Sequence, residues 1–315
     1  MTPHDDTSTP KPAILLCPGQ GAQDVGMGKA WYDASPAART VFEQAGELMG
    51  ERLTAVCFDG PADRLNRTDV AQVAIYVTSV ACCRGLEEAG TLGPMDAAAG
   101  LSLGEFTALH LAGAMSFEDG LRLVQLRGRA MQDAAEAVAS GMVALVGADE
   151  AQADALCEEA RGDGVLVPAN FNCPGQVVVS GTRDACERAM TIAERMGLRA
   201  TALTVAGAFH SPVMQSAADR LAAALDDVTW HEPASVVLSN VTGRPHDRDA
   251  ASIKRRLVEQ LTSPVRWSES MQYALETWPD HRLIELAPGK VLSGLMRRID
   301  RKRKVENCAE PVTAQ

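Results

Sequence analysis

Apolar runs and helical stripes alternate along most of the chain. Ala13-Ile-Leu-Leu-Cys17 is an uninterrupted apolar run that predicts a buried strand, and Pro18-Gly-Gln-Gly-Ala-Gln23 reads as the loop that follows it. Helical periodicity then covers residues 35–50 and 70–90, and the small residues Ala97-Ala-Ala99 predict the end of a second buried strand. Ser116-Phe-Glu-Asp119 carries a capping pattern that opens a long helix reaching residue 138. Such alternation of strands and helices is the pattern of an α/β fold.

The pattern changes character in the middle of the chain. Strands are predicted at 142–146, 165–167, 176–180 and 199–204, with helices at 150–160 and 183–196. The order βαββαβ is that of a ferredoxin-like unit. From Pro212 the earlier pattern resumes, with helices to 226, at 250–261 and at 267–276, strands at 235–239 and 282–286, and a last helix after Pro288-Gly-Lys290. We therefore expect a disordered tail at 1–12, a large α/β domain from 13–138 and 205–315, and an inserted subdomain at 139–204.

Composition narrows the function classes. The chain has 315 residues and a net charge of −11, so a nucleic-acid target is not expected, because phosphate binding needs concentrated positive charge. No apolar stretch is long enough to span a bilayer, and the first twelve residues resemble neither a signal nor a transit peptide. The eight cysteines form no C-x-x-C pair and lie in apolar or helical surroundings, which suits free thiols in a cytoplasmic protein and gives no reason to expect a metal site or a cofactor. The vicinal pair Cys82-Cys83 falls on a helical stretch, where packing is its expected role.

Candidate chemistry begins at Gly100-x-Ser102-x-Gly104. The spacing is that of a nucleophile elbow, a strand-to-helix turn so tight that glycine must flank the serine. Ala97–Ala99 before it and the helix formers from Glu105 onward supply the required context. A serine hydroxyl is a weak nucleophile and needs a base. Among the six histidines, His4 lies in the tail, His231, His246 and His281 fall in polar loop-like stretches, and His110 stands two helical turns beyond Ser102. His210, in Gly207-Ala-Phe-His-Ser-Pro212, sits at the junction of a strand and a helix start, where α/β sheets gather their active groups. It is the candidate base; packing at that corner is the alternative. For an oxyanion, the Leu103 N–H supplies one donor and the glycine-rich loop at Gln20 could supply a second or be a tight structural turn.

Arg127 stands at the edge of the apolar stripe formed by Phe117, Leu121, Val124, Gly128 and Met131, whereas Arg122 and Arg129 point to solvent. A guanidinium bordering a buried face calls for an anionic partner, either internal or a substrate carboxylate.

Seven blocks carry a family resemblance: Pro18–Gln23, Gly100–Glu105, Gln125–Gln132, Asn170–Gln176, Gly207–Ser211, Gln260 with Pro264–Trp267, and Pro288–Lys290. In order and spacing they resemble the malonyl-CoA:acyl carrier protein transacylases over residues 13–299. The resemblance implies an α/β-hydrolase-like domain with an inserted ferredoxin-like subdomain, and a malonyl group passing from malonyl-CoA to the phosphopantetheine thiol of acyl carrier protein. It implies Ser102 as nucleophile, His210 as base, the Gln20 and Leu103 amides as oxyanion hole, and Arg127 as holder of the malonyl carboxylate. Gln260 would orient His210 through its main-chain carbonyl, and Phe209 matches the bulky residue that accompanies selection of malonyl over α-branched units. One departure is visible: many members have His before the nucleophile, where this chain has Leu101.

A serine hydrolase and a non-enzymatic docking module are the competing readings. The first would release free malonate in excess of transfer, and the second would form no acyl-serine. For docking of an acidic carrier protein, Lys290, Arg297, Arg298 and the run to Lys304 offer a basic patch in an acidic chain; a solvated helix end is the alternative.

Overall fold

The structure is a computed structural model that describes residues 10–50 and 52–311. Of the tail expected at 1–12, positions 1–9 lie outside the described residues, while the Pro12 carbonyl already accepts the Arg282 N–H at 3.0 Å.

Strand β1 (Ala13–Cys17) is followed by helices α1 (Lys29–Ala34), α2 (Pro36–Met49), α3 (Leu53–Asp59), α4 (Ala62–Leu65) and α5 (Thr68–Glu88). Then come β2 (Met95–Gly100), α6 (Gly104–Leu111) and α7 (Phe117–Ala137), the last capped by the Ser116 hydroxyl accepting from the Asp119 N–H at 3.0 Å. The middle of the chain forms β3 (Ser140–Val146), α8 (Glu150–Arg161), β4 (Leu166–Cys173), β5 (Gln176–Thr182), α9 (Arg183–Arg195) and β6 (Arg199–Ala202). A 3₁₀ turn at Pro212–Met214 leads into α10 (Gln215–Leu225), β7 (Val236–Leu238), α11 (Ala250–Gln260), α12 (Trp267–Thr277), β8 (Arg282–Leu286), α13 (Val291–Ile299) and β9 (Val305–Cys308). The pattern did not predict α1, α3, α4 or β9, all short, and β4 extends six residues beyond the predicted end at 167.

Two sheets result. The first is fully parallel, in the order β7-β2-β1-β8-β9. Its central strand is apolar throughout because both faces are covered: Ala13, Leu15 and Cys17 join the larger core, and Ile14 and Leu16 pack on the other side with Trp267, Met271 and Leu292. The second sheet is antiparallel, in the order β4-β5-β3-β6. Val143, Leu145, Val177 and Val179 face a core of their own with α8 and α9, while Met142, Ala144 and Val178 join the larger core. The period-two alternation of β3 and β5 thus welds the small sheet to the rest of the protein. The segment before α12 adds a second tie, with the Phe171 N–H donating to the Val265 carbonyl and the Val265 N–H to the Ala169 carbonyl, both at 2.9 Å.

Register decides where chemistry can gather. Cys17 lies opposite Gly100, so the loops leaving β1 and β2 emerge side by side at the carboxyl end of the sheet.

Candidate active site

Ser102 occupies the turn between β2 and α6 in the left-handed region, with φ of 53°. The flanking glycines permit that turn by close approach. A Cβ on Gly100 would stand 1.8 Å from the Gly104 carbonyl carbon, and one on Gly104 would stand 2.1 Å from the Cys17 carbonyl oxygen. His210 is the other non-glycine residue with positive φ among the described residues, at 56°. Strained backbone therefore falls on the two residues that face each other.

Their geometry is that of a nucleophile and its base. His210 Nε2 lies 2.8 Å from Ser102 Oγ, and His210 Nδ1 lies 2.8 Å from the main-chain carbonyl oxygen of Gln260. A carbonyl only accepts, so Nδ1 carries the proton and Nε2 presents its lone pair to the serine hydroxyl. Burial, assisted by the Arg127 charge, lowers the His210 pKa to about 4 against the opposing Gln260 bond. The imidazole is accordingly neutral at physiological pH and free to take a proton.

Arg127 is 1% exposed on α7, deeper than the edge position its stripe implied. Its Nη1 donates to Gln72 Oε1 at 2.7 Å, and its Nη2 donates to Gln260 Oε1 at 2.8 Å and to Ser102 Oγ at 3.0 Å. The Phe106 ring lies 5.4 Å from the guanidinium carbon. Among the described residues no carboxylate forms an ion pair with it, and Nε has no partner. Burial lowers its pKa to about 10, opposed by Glu105, which leaves it cationic at neutral pH. A buried guanidinium held by neutral amides keeps attraction in reserve for an anion.

These side chains open on a cavity of about 530 Å³ between the two sheets. Ser102, Leu103, Arg127, Phe209, His210 and Gln20 line it together with Leu101, and Met142, Asn170, Asn172 and Val178 contribute the wall from the antiparallel sheet. Among the described residues neither the Gln20 N–H nor the Leu103 N–H has a hydrogen-bond acceptor. Gln260 is fully buried behind the cavity and reaches it through Ser102, His210 and Arg127.

Several buried polar residues around the elbow were not apparent in the sequence. Asn240, just after β7, accepts from the Ser102 N–H at 2.6 Å and donates to the Gly100 carbonyl at 2.6 Å. Glu105 and His246 are both buried, with His246 Nε2 2.5 Å from Glu105 Oε1. His246 looked like a loop residue because its partner lies 141 positions away. One signal was available: Glu105 is the only acid on α6, among Phe106, Ala108, Leu109 and Leu111. His110 instead faces the Met115 carbonyl at 3.1 Å, away from the cavity.

Of the basic residues, Lys290 and Arg297 line a second cleft of about 430 Å³ with Arg301, Lys302, Arg303 and Lys304, whereas Arg298 lies outside it. All eight cysteines are free and buried, and burial raises the pKa of each. Among the described residues no group of three or more His, Cys, Asp or Glu side chains is placed to hold a metal ion. Nor is any helix among them long and apolar enough to cross a membrane.

A family model described as the acyl transferase domain matches residues 14–310. The malonyl CoA-acyl carrier protein transacylase of Bacillus subtilis is 40% identical over 303 residues, covering 96% of this chain and 94% of that protein. The chain belongs to the malonyl-CoA:acyl carrier protein transacylase family. Within this transacylase family, the crystal structure of the Xanthomonas oryzae enzyme superposes with a TM-score of 0.91 at 41% identity, covering 96% of both chains. A second solved transacylase, described as a malonyl-transacylase in complex with its type II polyketide acyl-carrier protein, gives 0.91 at 36% identity and covers 96% of both chains.

Proposed function

We propose that this protein is an [acyl-carrier-protein] S-malonyltransferase that works through a malonyl-Ser102 intermediate. One observation carries the mechanism: Ser102 Oγ is held at once by His210 Nε2 at 2.8 Å and by Arg127 Nη2 at 3.0 Å, in a cavity shared by both sheets.

The neutral His210 Nε2 takes the Ser102 proton as Oγ attacks the thioester carbonyl of malonyl-CoA. Charge develops on the carbonyl oxygen, and the free N–H groups of Gln20 and Leu103 are its donors, each worth roughly 3 kcal/mol in comparable sites. Arg127 grips the malonyl carboxylate, which selects a carboxylated acyl group over acetyl and orients its thioester carbonyl. Phe209 bounds the space beside the carbon between the two carbonyls. His210 returns the proton to the departing CoA sulfur. In the second half-reaction His210 deprotonates the phosphopantetheine thiol of acyl carrier protein, whose sulfur attacks the malonyl-serine and restores the free hydroxyl. The imidazolium formed in each half is oriented by the Gln260 carbonyl, so no Asp is required as third member.

The product serves fatty acid or polyketide synthesis. The parallel sheet with helices on both faces supports an α/β-hydrolase-like reading of residues 13–138 and 205–315, and the βαββαβ order with β3 and β5 central supports a ferredoxin-like reading of 139–204. Eight buried, unpaired thiols support a cytoplasmic location.

Intact-mass analysis after exposure to malonyl-, methylmalonyl- and acetyl-CoA tests the reading. One malonyl adduct is expected on the wild-type protein and none on Ser102→Ala; an adduct that survives in the variant overturns the assignment.

A further inference from the structure

We propose that Glu105 is a positioning residue that serves the Ser102–His210 pair and Arg127 together, acting through Gln260 and Asn240. The inference rests on the roles given above to Ser102, His210 and Arg127.

Glu105 is fully buried in the first turn of α6. Its Oε2 accepts from Gln260 Nε2 at 2.6 Å and from the Asn240 N–H at 3.2 Å, and its Oε1 accepts from His246 Nε2 at 2.5 Å. Each partner then reaches the reacting groups. Gln260 Nε2 also donates to the Ser102 carbonyl at 2.9 Å, its Oε1 accepts from Arg127, and its main-chain carbonyl holds His210. Asn240 grips the elbow backbone at Gly100 and Ser102. An amide side chain has nearly isosteric ends, and here an acceptor at Nε2 and a cation at Oε1 exclude the flipped orientation.

Charge balance gives the carboxylate a second effect. His246 Nε2 faces Glu105 Oε1, while His246 Nδ1 is buried without a partner among the described residues. Glu105 interacts electrostatically with Arg127 across the Gln260 amide. A negative charge held behind the Gln260 amide also favours the imidazolium that His210 becomes during attack, and it tempers the pull of Arg127 on the malonyl carboxylate.

The two effects separate in rapid-quench acylation of the full chain with malonyl-CoA and acetyl-CoA. Glu105→Gln keeps the shape and removes the charge. It is expected to lower the acylation rate constant at least tenfold for both substrates while malonyl-CoA binds as tightly as before or severalfold more tightly. Loosened packing would instead weaken binding. Glu105→Asp, which keeps the charge, is expected to retain wild-type malonyl-CoA affinity with an intermediate rate, and it reads the same quantities if the glutamine variant does not fold. An unchanged rate in Glu105→Gln, weaker malonyl-CoA binding in that variant, or altered affinity in Glu105→Asp overturns the proposal. A wild-type protein that forms no malonyl-serine would instead overturn the function on which it rests.

Discussion

Arg127 Nη2 stands 3.0 Å from Ser102 Oγ, so the oxygen that faces the His210 imidazole also faces a buried cation. The guanidinium has no carboxylate partner of its own among the described residues, and its other hydrogen bonds go to amide oxygens. A substrate bearing a free carboxylate completes it, and one without leaves it as it is. Replacing Arg127 with Ala should lower kcat/KM for malonyl-CoA by roughly 100-fold, the value of a charge-assisted pair in a dry site. Acetyl-CoA should lose about tenfold less, because only the support of Ser102 and Gln260 is removed. Paired acylation rates for the two thioesters decide the matter; equal losses remove Arg127 from carboxylate recognition.

The pH profile follows from His210. Its pKa falls from the ordinary 6.5 to about 4 through burial and the Arg127 charge, so the acid limb of kcat/KM for malonyl-CoA should lie near pH 4. Arg127→Ala removes one depressing influence and should move that limb upward. The same shift enters stability. The unfolded chain binds the proton more readily, so the His210 contribution is complete above about pH 6.5 and is lost as pH falls toward 4. A limb near 6.5 in the wild-type protein would show that burial and the Arg127 charge do not hold His210 below its ordinary pKa.

Local signals carried much of this site. The elbow, the strand-to-helix corner at His210 and the stripe beside Arg127 are each written within about fifteen residues of sequence, where turn and helix periodicities operate. Glu105, Asn240 and His246 were hidden because their meaning is pairwise: Glu105 meets His246 across 141 positions and Gln260 across 155. Strand β9 was missed for a related reason. Val305-Glu-Asn-Cys308 is short and half polar, and it is a strand only because β8 offers a parallel edge, with the Trp31 indole donating to the Cys308 carbonyl at 2.9 Å.

Two glycines offer opposite outcomes from one substitution. Gly100→Ala would place Cβ 1.8 Å from the Gly104 carbonyl carbon, which only a backbone shift can relieve. A loss of about 3 kcal/mol or more is expected, with Tm lower by roughly 4 °C or more. Gly294 on α13 has nothing within 4 Å of such a Cβ. Gly294→Ala should stabilise by about 0.5–1 kcal/mol, because alanine loses less freedom on entering a helix. Thermal melts of the two variants, which should move in opposite directions, test the packing of the elbow without reference to activity.

The basic cleft predicts an order of effects within an adjacent pair. Lys290 and Arg297 line it with the cations at 301–304, and Arg298 does not. The chain carries a net charge of −11, so approach by an acidic carrier protein requires a local reversal of sign, and this cleft is the largest concentration of positive charge in the sequence. Arg297→Glu should therefore raise the KM for acyl carrier protein by roughly tenfold at low ionic strength, and Arg298→Glu by less. Both effects should shrink toward physiological salt as the charges are screened. Acylation by malonyl-CoA in the absence of carrier protein reports separately on the first half-reaction. Equal effects of the two reversals on the carrier-protein KM, or none, would remove the cleft from docking.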